Sequence, residues 1–243
     1  MRVAIASDIH GNKQAFQAVI AAAETAGAEE LWCLGDLVGY GAEPDACVAL
    51  ADAHCTVCLA GNHDLAVVDV LSLDDFSRGA ALAAYWTREV IRPETREYLL
   101  SLSPQSSAEG VGLFHASPRD PVWEYVLSAL AAELCFDATD FRISFIGHSH
   151  VALSFHRPEG EAASGTTRRE GSEVDLATGE WLINPGSAGQ PRDGDARAAW
   201  LMLDTVNWTA TWQRAEYDIA GAQAAIRAAN LPDSLAERLQ YGQ

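Results

Sequence analysis

The sequence is short of positive charge. Its 243 residues include 16 Lys and Arg against 34 Asp and Glu, which gives a formal net charge of -18 at pH 7. A surface of this sign repels phosphate backbones and anionic membranes, so we expect no stable binding of nucleic acid and no membrane association. A nucleic-acid substrate would need a local exception to this charge, which bound cations could supply.

The sequence also has no long apolar run and no even set of cysteines. No run approaches the ~20 residues of a membrane span, and Asp8 interrupts the N-terminal apolar stretch too early for a signal peptide. The five cysteines are odd in number and lie mostly in apolar segments, which is typical of a reducing cytosol. Cys55 and Cys58 would face opposite sides of a strand, which disfavours a shared metal or redox pair. We therefore predict a soluble, cytoplasmic protein.

The remaining composition is that of an ordinary globular protein, with 49% hydrophobic and 21% charged residues. We predict one domain over residues 1–243, because a chain of this length can bury one large core. Apolar strands alternate with helices over residues 1–60, as in α/β proteins with a mainly parallel sheet. From residue 151 the pattern is rich in strands, and we expect a second, mainly antiparallel sheet packed on the first. Residues 158–171 are polar and contain glycine, so we expect a loop there.

Residues 65–105 interrupt the alternation of strand and helix. Two helical stretches occupy this segment, which follows directly on the motif Gly61-Asn62-His63-Asp64. We predict a helical insertion. Its position makes it a candidate lid that shapes substrate choice, and the alternative is a pair of helices that only pack on the sheet.

Five apolar runs end in polar side chains. In order along the chain these are Asp8 and His10, then Asp36, then Asn62, His63 and Asp64, then His115, then His148 and His150. In open α/β sheets, ligands gather outside the carboxyl ends of the strands, so we expect these side chains to meet at one rim. Histidine and aspartate without clustered thiolates suit Mn, Fe or Zn better than a structural zinc site. The set is too large for one ion, and a bridging carboxylate between two ions would use it economically.

These motifs resemble a known family. Asp8-Ile9-His10-Gly11-Asn12, Gly35-Asp36, Gly61-Asn62-His63-Asp64, His115 and Gly147-His148-Ser149-His150 look like the five ordered blocks of the calcineurin-like metallophosphoesterase superfamily. Asn184-Pro185-Gly186-Ser187 resembles a segment of its small bacterial phosphodiesterase branch. The resemblance implies an α/β fold, a four-layer αββα sandwich, with a binuclear centre of two divalent ions. Mn is favoured, with Fe, Zn and Ni as alternatives.

The resemblance also implies a role for each motif residue. Asp8, His10 and His150 would hold one metal ion, Asn62, His115 and His148 the other, and Asp36 would bridge them. His63 would lie over the leaving-group oxygen as a general acid, with Asp64 orienting its ring and favouring the protonated form. A hydroxide bridging the two metals would then attack the phosphorus in line.

The substrate is less well indicated. Protein phosphatases of the family carry Arg in the second block and Glu at the end of the third, where this chain has Tyr40, Gly41 and Asp64. These departures disfavour a protein phosphatase and a dinucleoside polyphosphate hydrolase, which remain alternatives. Arg119 and Arg192 are candidates for phosphate contacts, the alternative for each being a surface ion pair.

We therefore predict a Mn-dependent phosphoesterase, a phosphodiesterase rather than a phosphatase, that acts on a small or nucleotide-like substrate. A further alternative, from another class of protein, is a non-catalytic scaffold of the kind that a retromer subunit of this superfamily provides. Such a scaffold could lose catalytic residues, whereas His63 and every expected ligand are present here.

Overall fold

A computed structural model describes all residues, 1–243, and contains twelve strands and eight α-helices. The strands are β1 (Arg2–Ala6), β2 (Glu30–Cys33), β3 (Val57–Cys58), β4 (Gln105–Ala108), β5 (Val111–Phe114), β6 (Ile143–Phe145), β7 (Leu153–Arg157), β8 (Ser164–Thr167), β9 (Glu173–Asp175), β10 (Glu180–Asn184), β11 (Ala198–Asp204) and β12 (Thr209–Ala215). The helices are α1 (Lys13–Thr25), α2 (Pro44–His54), α3 (Asn62–Val67), α4 (Arg78–Val90), α5 (Pro93–Ser101), α6 (Ala129–Phe136), α7 (Ile219–Ala228) and α8 (Asp233–Glu237). A short 3-10 helix, Arg238–Tyr241, follows α8.

The strands form two mixed six-stranded sheets. The first has the order β3-β2-β1-β11-β12-β9 and the second the order β4-β5-β6-β10-β7-β8. In the first sheet β1, β2 and β3 are parallel, and β11 runs antiparallel to β1. In the second sheet β5, β6 and β10 are parallel, and β7 runs antiparallel to β10.

The alternation of side chains along β1 shows how the layers are built. Val3 and Ile5 face the second sheet and share a buried cluster with Phe145 and Ile183, while Ala4 and Ala6 face a cluster formed with α1 and α2. Successive side chains of a strand point to opposite faces, so one strand contributes to both layers. Helix α6 covers the outer face of the second sheet. The predicted four-layer αββα sandwich is confirmed.

The prediction of a separate C-terminal sheet is wrong. Strands β9, β11 and β12 join the N-terminal strands, whereas β7, β8 and β10 join β5 and β6. In the register between β1 and β11, Ile5 lies opposite Leu201, and both are fully buried. An apolar run identifies a strand, but its partner is set by burial against distant segments, which local periodicity does not report.

Two edge strands were also missed. Residues 158–171, expected to be a loop, contain β8, and the end of the predicted helical segment 65–105 belongs to β4. All of β8 and three of the four residues of β4 are exposed. Short polar edge strands lack the apolar alternation that marks a strand in a sequence.

The segment that follows the motif at residue 61 is helical, as predicted, and consists of α3, α4 and α5. Helix α4 begins after Ser77, whose hydroxyl accepts a hydrogen bond from the amide of Ala80 at 3.4 Å. Its function as a lid and the assignment of the chain to one domain stay predictions. No helix is long and apolar enough to span a membrane.

Candidate metal centre and substrate pocket

The five loops with the predicted ligands meet at one edge of the sandwich. The amide of Asp8 donates to Gly35 O at 3.0 Å, and that of His10 donates to Asp36 O at 2.8 Å. Across the second sheet, the Gly147 amide donates to His115 O at 2.7 Å. The expected rim exists, but the strand ends of two sheets form it rather than those of one.

Five of the predicted ligands have a left-handed backbone. They are Asp8, His10, Asp36, His148 and His150, with φ between +51° (His10) and +63° (His148). Residues other than glycine seldom adopt this conformation, and such strain concentrates where a structure must aim side chains at a functional site. All five side chains are buried.

The side chains form two groups that share one carboxylate. Asp8, His10, Asp36 and His150 form the first group, and Asp36, His115 and His148 form the second, with the ligand atoms of each group within 4.8 Å of one another. Asp36 Oδ2 lies 3.5 Å from His10 Nε2 and 3.6 Å from His115 Nε2. Asn62 Oδ1 lies 3.2 Å from His115 Nε2 and so borders the second group. The two clusters fit a binuclear site for divalent metal ions.

Each carboxylate of the cluster uses one oxygen in a backbone hydrogen bond. Asp36 Oδ1 accepts from the amide of His63 at 2.8 Å, and Asp8 Oδ2 accepts from the amide of His148 at 3.1 Å. The other oxygens, Asp36 Oδ2 and Asp8 Oδ1, are buried without a hydrogen-bond partner. A buried charged oxygen without a partner is destabilising, and a cation at this position would satisfy both oxygens.

Backbone carbonyls fix three of the histidines in the same tautomer. The contacts are His10 Nδ1 to Val38 O at 3.1 Å, His115 Nδ1 to Leu34 O at 2.9 Å and His150 Nδ1 to Gln190 O at 2.7 Å. A carbonyl only accepts, so Nδ1 carries the proton and Nε2 presents a lone pair to the cluster. His148 Nε2 is buried without a partner. The Nε2 atoms of His10 and His150 lie 3.0 Å apart, and a cation between them would relieve the repulsion of their lone pairs.

Burial also sets the charges of the cluster. It lowers the pKa of His10, His115, His148 and His150, and for His148 the pKa falls to about 3. The histidines are therefore neutral at pH 7, which is the state that binds metal ions. Burial, followed by the nearby carboxylates of Asp64 and Asp8, raises the pKa of Asp36. A metal ion would oppose this shift because it favours the charged carboxylate.

The carboxylate of Asp64 does not contact the ring of His63. Its Oδ2 accepts from the amides of Gly61 at 2.9 Å and Leu37 at 3.2 Å, and its Oδ1 accepts from the amide of Val38 at 3.0 Å. The prediction that Asp64 orients the His63 ring is therefore wrong. Asp64 instead joins the loop after β2 to the turn that begins α3.

Aromatic neighbours hold the His63 ring. Its centroid lies 4.5 Å from that of Tyr40 and 4.9 Å from that of Phe76, which meets it edge-on. Gly39, with φ +87°, leaves room for the ring, since a Cβ there would collide with His63 Nδ1. Burial, together with the nearby cluster histidines, lowers the pKa of His63. The ring is thus neutral at pH 7 without metal ions and substrate, and its protonated form as a general acid stays a prediction.

A pocket of about 340 Å³ opens over the cluster. Its lining includes Asp36, Asn62, His63, His148 and His150 at the cluster and Tyr40, Asp75, Phe76, Trp123, Tyr125, Arg192 and Arg238 around them. Tyr125 stacks on His148 with 4.1 Å between ring centroids, and Phe76 meets Trp123 at 5.3 Å. Our sequence reasoning missed Phe76, Trp123, Tyr125 and Arg238, because they lie outside the motifs and no local pattern distinguishes them from ordinary surface residues.

The two arginines proposed for phosphate lie in different surroundings. Arg192 lines the pocket, where its Nη2 donates to Gln190 Oε1 at 3.0 Å and its guanidinium lies over the ring of Tyr40. Arg119 lies outside the lining, 40% exposed, in an ion pair with Glu124 at 3.0 Å. The structure therefore corrects the prediction for Arg119, which forms the surface ion pair that was its alternative.

The two-sheet sandwich with a buried histidine and aspartate cluster at the strand ends defines a class of metal-dependent phosphoesterases. The family model described as the calcineurin-like phosphoesterase superfamily domain matches residues 1–207. The chain belongs to the calcineurin-like phosphoesterase superfamily. This membership implies a phosphoester substrate, and the structure adds two candidate metal sites.

The chain is also similar to individual proteins over its whole length. It is 37% identical to an uncharacterised protein of Methanocaldococcus jannaschii, over 99% of this chain and 98% of that protein. The crystal structure of a metallophosphoesterase from Sphaerobacter thermophilus superposes with a TM-score of 0.90 at 39% identity, over 100% of this chain and 99% of that one. A hypothetical protein of Pyrococcus horikoshii shares the fold at a TM-score of 0.77 and 19% identity, over 100% of this chain and 98% of that one. Placement in the small bacterial phosphodiesterase branch stays a prediction.

Proposed function

We propose that this protein is a binuclear metal-dependent phosphoesterase that cleaves phosphodiesters in preference to monoesters. The observation that carries the proposal is the position of Asp36 Oδ2, which has no hydrogen-bond partner and lies between the two buried groups of ligand atoms. In this proposal Asp8, His10 and His150 bind one ion, Asn62, His115 and His148 bind the other, and Asp36 bridges them. Mn²⁺ is the favoured ion, since histidine and carboxylate ligands suit it.

Two divalent ions bound there would polarise the phosphoryl oxygens and lower the pKa of the attacking water. The chain would supply the remaining contacts. Arg192 would donate hydrogen bonds to a phosphoryl oxygen, because its guanidinium faces the pocket and forms no ion pair with a carboxylate. The phosphoester anion would raise the pKa of the buried His63 ring, which could then donate a proton to the leaving-group oxygen.

The pocket wall supports a nucleotide-like substrate. Phe76, Trp123 and Tyr125 line one pocket together with the cluster, and Trp123 is partly exposed. A nucleobase stacks on such side chains, and base stacking on an aromatic residue contributes about 1–3 kcal/mol. The wall therefore offers a place for the base while the phosphoester lies on the cluster.

The proposal is tested by turnover of bis(p-nitrophenyl) phosphate and p-nitrophenyl phosphate, side by side. Metal-stripped protein is reloaded with Mn, Zn, Ni, Fe or Mg, and the bound metal is counted. We expect metal-dependent cleavage with a higher kcat/KM for the diester. A preference for the monoester would contradict the phosphodiesterase assignment. No turnover of either ester by protein that holds two ions would contradict the proposed general phosphodiesterase activity and would leave a very selective enzyme or the scaffold.

The role of His63 is tested separately with His63→Asn. His54→Asn is the matched control, since His54 is 40% exposed, contacts Glu24 and does not line the pocket. We expect His63→Asn to keep both metal ions and to lose about 10²- to 10⁴-fold in kcat on an alkyl phosphodiester, whose leaving group needs a proton. The loss on the nitrophenyl diester should be smaller. Equal losses on the two esters would remove His63 from the acid role.

A further inference from the structure

Two arginines of the pocket wall have no acidic side chain as a partner. Arg157, Arg197 and Arg214 form ion pairs with acidic side chains elsewhere in the protein, but Arg192 and Arg238 form none. Arg192 makes its side-chain hydrogen bonds to neutral groups, and its Nε is buried without a partner. In an acidic protein, unpaired guanidinium groups in a pocket indicate a place for an anion.

The C-terminal segment brings Arg238 to the pocket. Arg238 begins the 3-10 helix after α8, and its Nε donates to a main-chain oxygen of Gln243. The amide of Gly194 donates to Gly242 O at 3.0 Å, which ties this segment to the loop that follows Arg192. The Nη atoms of Arg238 donate to no group of the protein and are free for a ligand.

The two guanidiniums act on each other. Burial, followed by the positive charge of Arg192, lowers the pKa of Arg238, so the pair has an unfavourable mutual interaction that an anion would relieve. The charge of Arg192 also lowers the pKa of His63 and His148 at the cluster. The amide of Arg192 donates to His150 O at 3.1 Å, which places Arg192 next to the cluster. Asp75 is the acidic residue of the outer lining, so two cations against one carboxylate leave the outer pocket positive.

We propose that Arg192 and Arg238 form a subsite for a second anionic group of the substrate, beyond the phosphoester that lies on the cluster. This inference rests on the proposed phosphoesterase function and extends it to a substrate class. The substrates would be phosphodiesters that carry an additional phosphate, such as an ester of a nucleoside bisphosphate. The phosphoester would lie on the metal ions and Arg192, and the second phosphate would reach Arg238.

The test uses two esters that release the same nitrophenolate. They are the p-nitrophenyl ester of thymidine 5′-phosphate and the same ester with a further 3′-phosphate. We expect a higher kcat/KM for the ester with two phosphates, through a lower KM. Arg238→Gln should reduce this preference about tenfold. This factor corresponds to the lower end of the range for hydrogen bonds to charged groups, because the site is partly open to water. Arg227→Gln is the control, since Arg227 is exposed and pairs with Asp233 outside the pocket.

A binding measurement separates this inference from the proposed function. Calorimetry gives the affinity of the Mn-loaded protein for thymidine 3′,5′-bisphosphate and thymidine 5′-phosphate. The subsite would be supported, even without turnover, if the bisphosphate binds more tightly than the monophosphate. This difference should disappear in Arg238→Gln and remain in Arg227→Gln. An unchanged preference in folded Arg238→Gln, or no preference in the unsubstituted protein, would overturn it. Loss of nitrophenyl ester cleavage alone would instead count against the phosphoesterase.

Discussion

Replacing Asp64 tests whether its carboxylate holds two loops together. The side chain accepts three hydrogen bonds from buried amides, those of Gly61, Leu37 and Val38. Asp64→Ala leaves all three unpaired, and at about 1–3 kcal/mol for each buried donor the free energy of unfolding should fall by at least about 3 kcal/mol. Asp64→Asn keeps the shape of the side chain, but its NH₂ group replaces one acceptor oxygen and faces at least one of these backbone amides. We therefore expect the free energy of unfolding to fall by about 1–3 kcal/mol.

Urea unfolding of the metal-free protein measures these losses. Asp52→Asn is the matched control, because Asp52 is exposed on α2 and its replacement should change the free energy of unfolding by less than about 0.5 kcal/mol. If the free energy of unfolding of Asp64→Ala lies within about 1 kcal/mol of that of the unsubstituted protein, the proposed role of the carboxylate is refuted. If the variants keep their stability but change the pH dependence of activity, that result would instead support the original prediction that Asp64 acts through His63.

Three further predictions concern the site. Gly39→Ala would place a Cβ against the ring of His63, so we expect about a hundredfold loss in kcat with both metal ions retained. Gly110→Ala is the control and should keep activity, because Gly110 also has a positive φ but a Cβ there would contact nothing. The buried, neutral His148 has a pKa lowered from 6.5 to about 3, so the unfolded chain binds more protons between these values. The unfolding free energy of the metal-free protein should therefore fall as the pH drops below 6.5, by at most about 1.4 kcal/mol per pH unit for each such histidine, and a flat urea-unfolding profile from pH 7 to 5 would contradict this. Trp123→Ala should raise the KM for a nucleoside nitrophenyl ester about tenfold and that for p-nitrophenyl phosphate much less, and equal changes would exclude stacking.

The ligand positions could be predicted because their signal is local. Asp36 comes two residues after an apolar run that ends at Leu34, and a strand end is where an α/β protein places its ligands. The helices were also predictable, since a capping residue such as Asn12 and the apolar face of α1 lie within a few residues of each other. These features are set by short-range geometry, which the sequence displays directly.

The pocket wall could not be predicted, because it is assembled from distant segments. Phe76 precedes α4, Trp123 lies in the loop before α6, and Arg238 comes from the C-terminal end of the chain. The contacts of Asp64 were misjudged for a related reason. The resemblance implied that Asp64 orients the ring of His63, but Asp64 is the third residue of α3, and its side chain turns back to the amide of Gly61 instead.

The segment Asn184-Pro185-Gly186-Ser187 helps to position the metal-ligand cluster through hydrogen bonds to two of its loops. Asn184 Nδ2 donates to Gly147 O at 2.7 Å, which fixes the loop of the second sheet that carries His148. Three residues later, Ser187 Oγ donates to Asp8 O at 2.8 Å, which fixes the first loop of the other sheet. One short segment thus ties both sheets at the cluster, and all of these groups are buried. Since a ligand set placed by hydrogen bonds loses little freedom when ions bind, metal affinity in this protein should depend on these contacts as well as on the ligands themselves.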